Sequence, residues 1–121
     1  MDVIRHNRKS VCSACFRDFG SCSCGKNAEI LIDEGMQKIL INLNQKGYKT
    51  VFSCESHFDG YYHMYIMFAK NYNFPDIPKD FKFVKKHRVI ESFAKNRKKK
   101  EEFEAEKKKK LSDLLVWSET I

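Results

Sequence analysis

Apolar residues recur at helical spacing soon after a polar, cysteine-rich N-terminal stretch. They lie three or four positions apart, as on one face of an α-helix, and are Met36, Ile39, Leu40 and Leu43. Asp33 suits the N-cap of such a helix, and Gly47 suits the residue just beyond its C-terminus. The pattern predicts a helix over about residues 33–46.

Later segments are rich in aromatic and β-branched residues, which favours strands. They read YKTVFS at 48–53, YYHMYIMFA at 61–69, FKFV at 81–84 and RVIESF at 88–93. The second segment is apolar on both faces, which is typical of a central strand. One of its faces carries Tyr62, Met64, Ile66 and Phe68. The last two segments predict a hairpin that turns at residues 85–87.

Residues 97–118 consist largely of strong helix formers. The apolar side chains that can dock this helix are Phe103, Leu111, Leu114, Leu115 and Trp117. The middle of the segment, EAEKKKK at 104–110, is almost wholly polar. We expect that part to project from the protein or to fray, supported by pairs such as Glu104 with Lys108.

This order of elements predicts one α+β domain over residues 1–121, in which two helices cover one face of a small antiparallel sheet. Residues 12–25 would form a zinc-binding loop, 28–96 the first helix and the strands, and 97–119 a basic C-terminal helix. We expect the cysteine loop to cover the other face of the sheet. A core of this size is marginal on burial alone, so a bound metal would add needed stability.

The chain has no stretch near the ~18 apolar residues of a membrane helix, and its N-terminus lacks the apolar segment of a secretory signal. We therefore expect a cytoplasmic protein that does not contact membranes. In a reducing compartment, clustered cysteines bind metal more often than they form disulfides.

The cysteine motif is C-x2-C-x6-C-x-C, formed by Cys12, Cys15, Cys22 and Cys24. Four thiolates complete a tetrahedral shell and leave no open position for a substrate, which predicts one structural zinc ion. An alternative remains open, because Cys54 and His57 form a C-x2-H pair. Either of them can replace Cys22 or Cys24 as a ligand.

Polar and reactive side chains gather where the first predicted strand ends. Thr50, Ser53 and Ser56 can bind phosphate oxygens, and His57 can bind a ligand or transfer a proton. Cys54 and His57 can form a catalytic pair only if they touch, which spacing does not show. Equally, Ser and Thr are ordinary residues at strand ends.

The net charge of +7 is concentrated in one part of the chain. Residues 85–110 contain twelve Lys or Arg and five Glu, while the rest is neutral. Such asymmetry favours an anionic partner, nucleic acid or nucleoprotein. The candidate contacts are Lys85, Lys86, Arg88, Arg97, Lys98, Lys99, Lys100, Lys107, Lys108, Lys109 and Lys110. A lysine-rich helix can also be simply a solvated face.

Three segments, GYKTVFSCESH at 47–57, YIMF at 65–68 and LSDLLVW at 111–117, carry a resemblance. With the cysteine cluster, they resemble a family of small, mostly uncharacterised proteins of phages and Gram-positive bacteria. Ser56 stands where that family has glycine. The resemblance implies a phage or mobile-element origin and supplies no reaction.

These features favour a zinc-stabilised binding protein that engages nucleic acid or a nucleoprotein through its basic helix. If the resemblance holds, the size and charge fit an inhibitor of a host defence complex, such as an RNA-guided nuclease. Such an inhibitor would act in the host cytoplasm. The alternatives are a phosphoesterase or nuclease that uses His57 and Cys54, and a binder that sequesters nucleotides. We lean against an enzyme, because no convincing catalytic constellation is present.

Overall fold

The structure is a computed structural model and describes residues 8–25, 28–55, 62–94 and 99–121. The strands are β1 (Arg8–Cys12), β2 (Glu29–Asp33), β3 (Thr50–Cys54), β4 (Tyr62–Phe68), β5 (Lys82–Val84) and β6 (Val89–Ala94). The helices are α1 (Gln37–Gln45) and α2 (Lys100–Thr120). Two antiparallel sheets and two helices confirm the predicted α+β class.

The larger sheet has the strand order β3-β4-β6-β5, with every pair antiparallel. β4 lies inside this sheet, as its two apolar faces predicted. Met64, Ile66 and Phe68 are fully buried on one face of β4. Because successive side chains of a strand alternate, the residues between them lie on the opposite face of the sheet.

Both helices pack on the sheet face that carries Met64, Ile66 and Phe68, as predicted. The helix residues in the same buried cluster are Ile39, Leu40 and Leu43 of α1 and Phe103, Leu114 and Trp117 of α2. The indole N–H of Trp117 donates to the carbonyl of Asp76 at 2.9 Å, so the only polar atom of that ring is satisfied.

α1 begins later than predicted. A 3-10 turn, Glu34–Met36, precedes it, and the Asp33 side chain makes no capping hydrogen bond to that turn. Asp33 holds the predicted N-cap position, ahead of the 3-10 turn, but its side chain instead accepts a hydrogen bond from the backbone N–H of Glu55 at 2.9 Å. Gly47 has a φ of +91°, the left-handed conformation typical of glycine beyond a helix C-terminus.

A second, two-stranded sheet is formed by β1 and β2, at positions where the sequence predicted no strand. β1 and β2 pair antiparallel, with Val11 opposite Ile30 and Lys9 opposite Ile32. Val11 and Ile32 are buried and belong to the main core cluster. With so few inward-facing apolar residues, these strands give only a weak periodic signal in the sequence.

The cysteine loop lies beside α1 and does not cover the far face of the larger sheet, contrary to expectation. The Phe16 ring is buried in the core cluster on the helix side, and the Gln37 side-chain amide donates to the Phe16 carbonyl at 3.1 Å. Among the described residues, those lining the far face come from β3, β4, β5, β6 and the β5–β6 turn.

The lysine-rich middle of α2 packs against the protein, contrary to the prediction that it projects or frays. Lys107 Nζ lies 2.9 Å from Glu55 Oε1, and Lys110 Nζ donates to Ser92 Oγ of β6 at 2.5 Å. These lysine side chains are only 12% and 10% exposed. In the described ranges, no helix combines the length and the apolar character that crossing a membrane requires.

Lys46 connects the end of α1 to the end of α2. Its Nζ donates to the carbonyls of Ser118 and Glu119 at 2.8 and 2.7 Å, where the helix dipole is negative.

We expect Lys46→Met to lower the free energy of unfolding by about 1 kcal/mol. Denaturant unfolding measures this loss. Lys49→Met is the control, since Lys49 Nζ has no partner among the described residues; an equal loss in both variants would contradict the capping role.

Candidate metal centre

The turn after β1 holds the first cysteine pair in place. Cys12 is the last residue of β1; its N–H donates to the Arg17 carbonyl and its carbonyl accepts from the Phe16 N–H, both at 2.9 Å. The Ser13 N–H donates to the Ala28 carbonyl at 3.0 Å and ties the turn to the residue before β2. The small sheet therefore fixes the entry to the cysteine loop.

The four cysteines of the motif converge. The Sγ atoms of Cys12, Cys15, Cys22 and Cys24 all lie within 4.8 Å of one another. Tetrahedral coordination at about 2.3 Å places thiolates about 3.8 Å apart, so a small contraction closes the shell around one ion. Cys12 is buried and Cys24 is exposed. The donor set fits one metal ion reached from the Cys24 side.

A residue in the left-handed backbone conformation follows each cysteine pair. Phe16 has a φ of +63° and Gly25 a φ of +78°. Glycine adopts this conformation freely, whereas Phe16 carries a strain of roughly 1 kcal/mol or more. The Phe16 ring is 4% exposed within the core cluster, and its burial offsets that strain. The buried ring therefore holds the turn that presents the first two thiols.

The surroundings shift the pKa values of the cysteine thiols in different directions. Burial disfavours the thiolate of Cys12, but N–H groups of Cys15 and Ala14 and neighbouring thiols outweigh it and lower the pKa of Cys12 to about 6. Burial is likewise outweighed by backbone and thiol hydrogen bonds at Cys15, whose pKa is lowered. Hydrogen bonds with Cys15 and Cys22 raise the pKa of Cys24 to about 12. A bound cation supplies the charge that removes this last proton.

The alternative ligands suggested by the sequence do not join this group within the described residues. Cys54 ends β3 opposite Tyr65 of β4 and is not one of the converging thiols. His57 lies outside the described residues. The set that the structure brings together is therefore four cysteines.

The ligand loop predicted from Thr50, Ser53, Ser56 and His57 is described only in part, because Ser56 and His57 fall outside the described residues. Thr50 is buried, and its Oγ1 accepts a hydrogen bond from Asn44 Nδ2 at 2.9 Å. The Thr50 N–H donates to Asn44 Oδ1 at 3.2 Å. Thr50 thus fastens β3 to α1, while Ser53 is half-buried opposite Ile66.

The candidate basic contacts divide into inward-facing and outward-facing residues. Lys107 and Lys110 face inward and have partners. The exposed residues are Lys85, Lys86, Arg88, Lys99, Lys108 and Lys109. None of these six forms an ion pair with another described residue. Arg97 and Lys98 lie outside the described ranges, and Lys100 begins α2. The exposed charge therefore lies partly on the β5–β6 turn and partly on α2.

A scan against protein-family models matches no family, and comparisons with curated proteins and with solved structures find no match. The resemblance to a phage and Gram-positive family therefore stays a hypothesis from short motifs. What can be said of the site comes from its own geometry, which defines a small α+β protein with a four-cysteine centre able to hold a metal ion.

Proposed function

We propose that this protein is a zinc-stabilised module that binds nucleic acid, free or within a nucleoprotein, through its exposed basic residues. Tetrahedral sites of four thiolates are typical of zinc and iron, and zinc exceeds Fe²⁺ in the stability order and needs no redox partner, so zinc is the ion we assign. A closed shell of four cysteines gives this ion a structural role and leaves it no position for a substrate.

The observation that carries the binding proposal is the exposed turn between β5 and β6. Lys85, Lys86 and Arg88 lie there in four successive positions, with no acidic partner among the described residues. Arg88 has a φ of +56°, a conformation that glycine or asparagine adopts at lower cost. A strained turn rich in unpaired cations is suited to phosphate contacts.

This interface differs from the basic helix that the sequence suggested. Two of the four lysines in the KKKK run of α2 face inward, so only Lys108 and Lys109 of that run offer charge to a partner. A phage origin and inhibition of a host RNA-guided nuclease remain hypotheses that rest on the resemblance and the charge. The enzyme that would use Cys54 and His57 stays a prediction of the sequence, because His57 lies outside the described residues.

Charge removal tests the proposal. We expect wild-type protein to bind RNA or DNA oligonucleotides with an affinity that falls steeply with salt. Replacing Lys85, Lys86 and Arg88 together by Gln should reduce the slope of log affinity against log salt by about 2, at about 0.7 per phosphate contact on a single strand. Fluorescence anisotropy titrations at several salt concentrations measure both quantities.

The matched control replaces Lys99, Lys108 and Lys109 by Gln, which removes the same charge from exposed positions elsewhere. Reversal of Lys107 and Lys110 is unsuitable, because both side chains are mostly covered and have partners, so its effect would report on folding. Absence of any salt-dependent nucleic-acid binding by the wild-type protein would overturn the proposed function. An equal slope change in both triple variants would remove the β5–β6 turn as the main contact.

A further inference from the structure

The face of the larger sheet that points away from the helices forms an open groove of about 430 Å³. Since Met64, Ile66 and Phe68 face the core, the alternate residues of β4 face this groove. The groove-lining residues used below are Phe52, His63, Tyr65, Met67, His87 and Glu91. Among the described residues, those that line the groove all come from the four strands of the larger sheet and from the β5–β6 turn.

Aromatic rings are prominent on this face of the sheet, in the groove and beside it, and two of them are exposed. Phe52 of β3 is 66% exposed and Phe93 of β6 is 47% exposed. The His63 ring lies 5.0 Å from the Tyr65 ring and 5.3 Å from the Phe93 ring, measured between centroids. The three rings of His63, Tyr65 and Phe93 thus run across two neighbouring strands, and Phe52 adds a fourth ring on β3.

Positive charge borders this aromatic surface. His87 lines the groove, and its neighbours Lys86 and Arg88 are exposed in the same turn. Lys82 of β5 is exposed and lies opposite Glu91 in the sheet register. The exposed basic residues on which the proposed function rests, Lys85, Lys86 and Arg88, therefore lie in the turn that borders the aromatic groove.

We infer that this sheet face binds a single-stranded segment of nucleic acid, with its bases on Phe52, Tyr65 and Phe93 and its phosphates along Lys85, Lys86 and Arg88. The inference rests on the proposed function and specifies its substrate and surface. Unpaired bases stack on exposed aromatic side chains, and a flanking basic edge follows the backbone.

Glu91 gives the groove a polar acceptor. Its Oε2 lies 2.7 Å from His63 Nε2, and its side chain is 21% exposed. A carboxylate at this position repels phosphate and accepts hydrogen bonds from the exocyclic amino groups of bases. The phosphates are therefore assigned to the β5–β6 turn and the bases to the centre of the sheet.

Charge complementarity favours this occupant over a protein. Lysine is depleted in the cores of protein interfaces, whereas Lys82, Lys85 and Lys86 all lie on β5 or the turn beside the aromatic surface. A rigid duplex keeps its bases stacked inside and cannot use the exposed rings. An open, twisted sheet face instead accommodates splayed bases.

The experiment compares three probes of equal length with the protein of residues 1–121: oligo(U), oligo(dU) and a DNA duplex. We expect both single strands to bind at least tenfold more tightly than the duplex, and a difference between the first two reports a contact to the 2′-hydroxyl. Phe52→Ala and Tyr65→Ala should each weaken single-strand binding roughly 5- to 150-fold, the range for one lost stack.

Phe19→Ala is the matched control, because Phe19 is an exposed phenylalanine, 46% accessible, outside the larger sheet. It should leave affinity unchanged. Fluorescence of Trp117, which is buried on the helix side, verifies that each variant is folded. Tyr65→Phe keeps a stacking ring and should retain most of the affinity that Tyr65→Ala loses.

Two results of the binding experiment would overturn the inference while leaving the proposed function intact. One is salt-dependent binding of the duplex that equals single-strand binding. The other is loss of binding in the Lys85, Lys86 and Arg88 variant but not in Phe52→Ala or Tyr65→Ala. A concentration-dependent dimer in sedimentation experiments that Phe52→Ala dissociates would also overturn it, because a second copy would then occupy the face. No binding to any probe would sink the proposed function itself.

Discussion

Chelating the metal ion is expected to unfold the N-terminal sheet and to lower the stability of the whole domain by several kcal/mol. Structural zinc contributes roughly 10 kcal/mol or more to the folding of small zinc domains, and a protein with its own core loses part of that amount. Val11, Phe16 and Ile32 join the cysteine region to the main core cluster. Loss of the ion therefore removes support from apolar contacts well beyond the thiols.

The measurement pairs metal analysis with thermal unfolding followed by circular dichroism, with and without a strong chelator, under reducing conditions. One metal ion per chain is expected, and Cys12→Ser should abolish it, because Cys12 is the buried ligand. Cys54→Ser is the matched control, since Cys54 lies outside the cluster, and it should keep the full metal content. An unchanged melting temperature after complete metal removal would contradict a structural role.

The pH dependence of metal binding follows from the same thiols. At neutral pH the ion must displace the proton of Cys24, whose pKa is raised to about 12, while Cys12, lowered to about 6, is largely ionised. Because Cys24 alone releases one proton on binding, metal affinity should fall by at least tenfold for each unit of pH lost above pH 6, and more steeply below it. The metal-derived stability is present at high pH and is lost as the pH falls.

In the metal-free protein, the shifted pKa values of Cys12 and Cys24 make stability depend on pH in opposite directions. The depressed pKa of Cys12 contributes stability above the unfolded value of 9.0, and this is lost as the pH falls through 6. The raised pKa of Cys24 contributes stability below 9.0 that is lost as the pH rises through 12. In the chelated protein the contribution of Cys12 is already lost by pH 6, so a further loss of stability from the cysteine centre below pH 6 is expected only with the metal bound, which a titration with and without chelator checks.

The four-cysteine group could be predicted because its members are close in the sequence. Cys12 and Cys24 are separated by only eleven residues, so local turns bring the thiols together. The left-handed conformation of Phe16 was not predictable, since only the burial of its ring in a distant core makes it tolerable. Local spacing thus identified the donors, while the tertiary fold determines how they are held.

The prediction of the fold was correct where the apolar periodicity extends over many residues. It failed where the periodic segment is short. β4 and α1 contain repeated buried positions, and both were found close to their predicted ranges. β1 has only five residues and few inward apolar side chains, so no strand was predicted there. The exposed groove was not predicted either. Apolar residues on both faces of β4 predicted that both faces are buried, whereas one of them lines the groove.

Lysine orientation could not be read from a run of four identical residues. Lys107 and Lys110 lie three positions apart on α2 and face the protein, while Lys108 and Lys109 face outward. The difference depends on Glu55 at the end of β3 and on Ser92 of β6, both distant in sequence. A contact between β3 and α2 thereby turned a predicted binding residue into a structural one.

Lys107→Met is expected to destabilise the protein by about 3–5 kcal/mol, the usual cost of leaving a buried charge without its partner. Lys107 Nζ is 2.9 Å from Glu55 Oε1, and the Glu55 side chain is only 9% exposed. Glu55 Oε2 is buried without a hydrogen bond among the described residues, so Lys107 is its main compensation. For a chain of this size, the melting temperature should fall by about 10–25 °C.

The carboxylate has little room to move toward another partner. A Cβ on Gly35 would overlap Glu55 Oε2, which shows how closely the backbone of the 3-10 turn approaches it. The Glu55 N–H is also bound to Asp33, so the residue is held at both its backbone and its side chain. Relaxation toward solvent is therefore restricted, and the unpaired charge stays buried in the single variant.

Combining Glu55→Met with Lys107→Met should restore most of the lost stability, because two apolar side chains of similar length can replace a buried ion pair at little net cost. Denaturant unfolding of both single variants and the double variant completes a mutant cycle. Lys108→Met, on the exposed face of α2, is the control and should change stability by less than about 0.5 kcal/mol. If Lys107→Met and Lys108→Met have equal stabilities, or if the double variant is the least stable of the set, the pair does not act as a buried, mutually compensating ion pair.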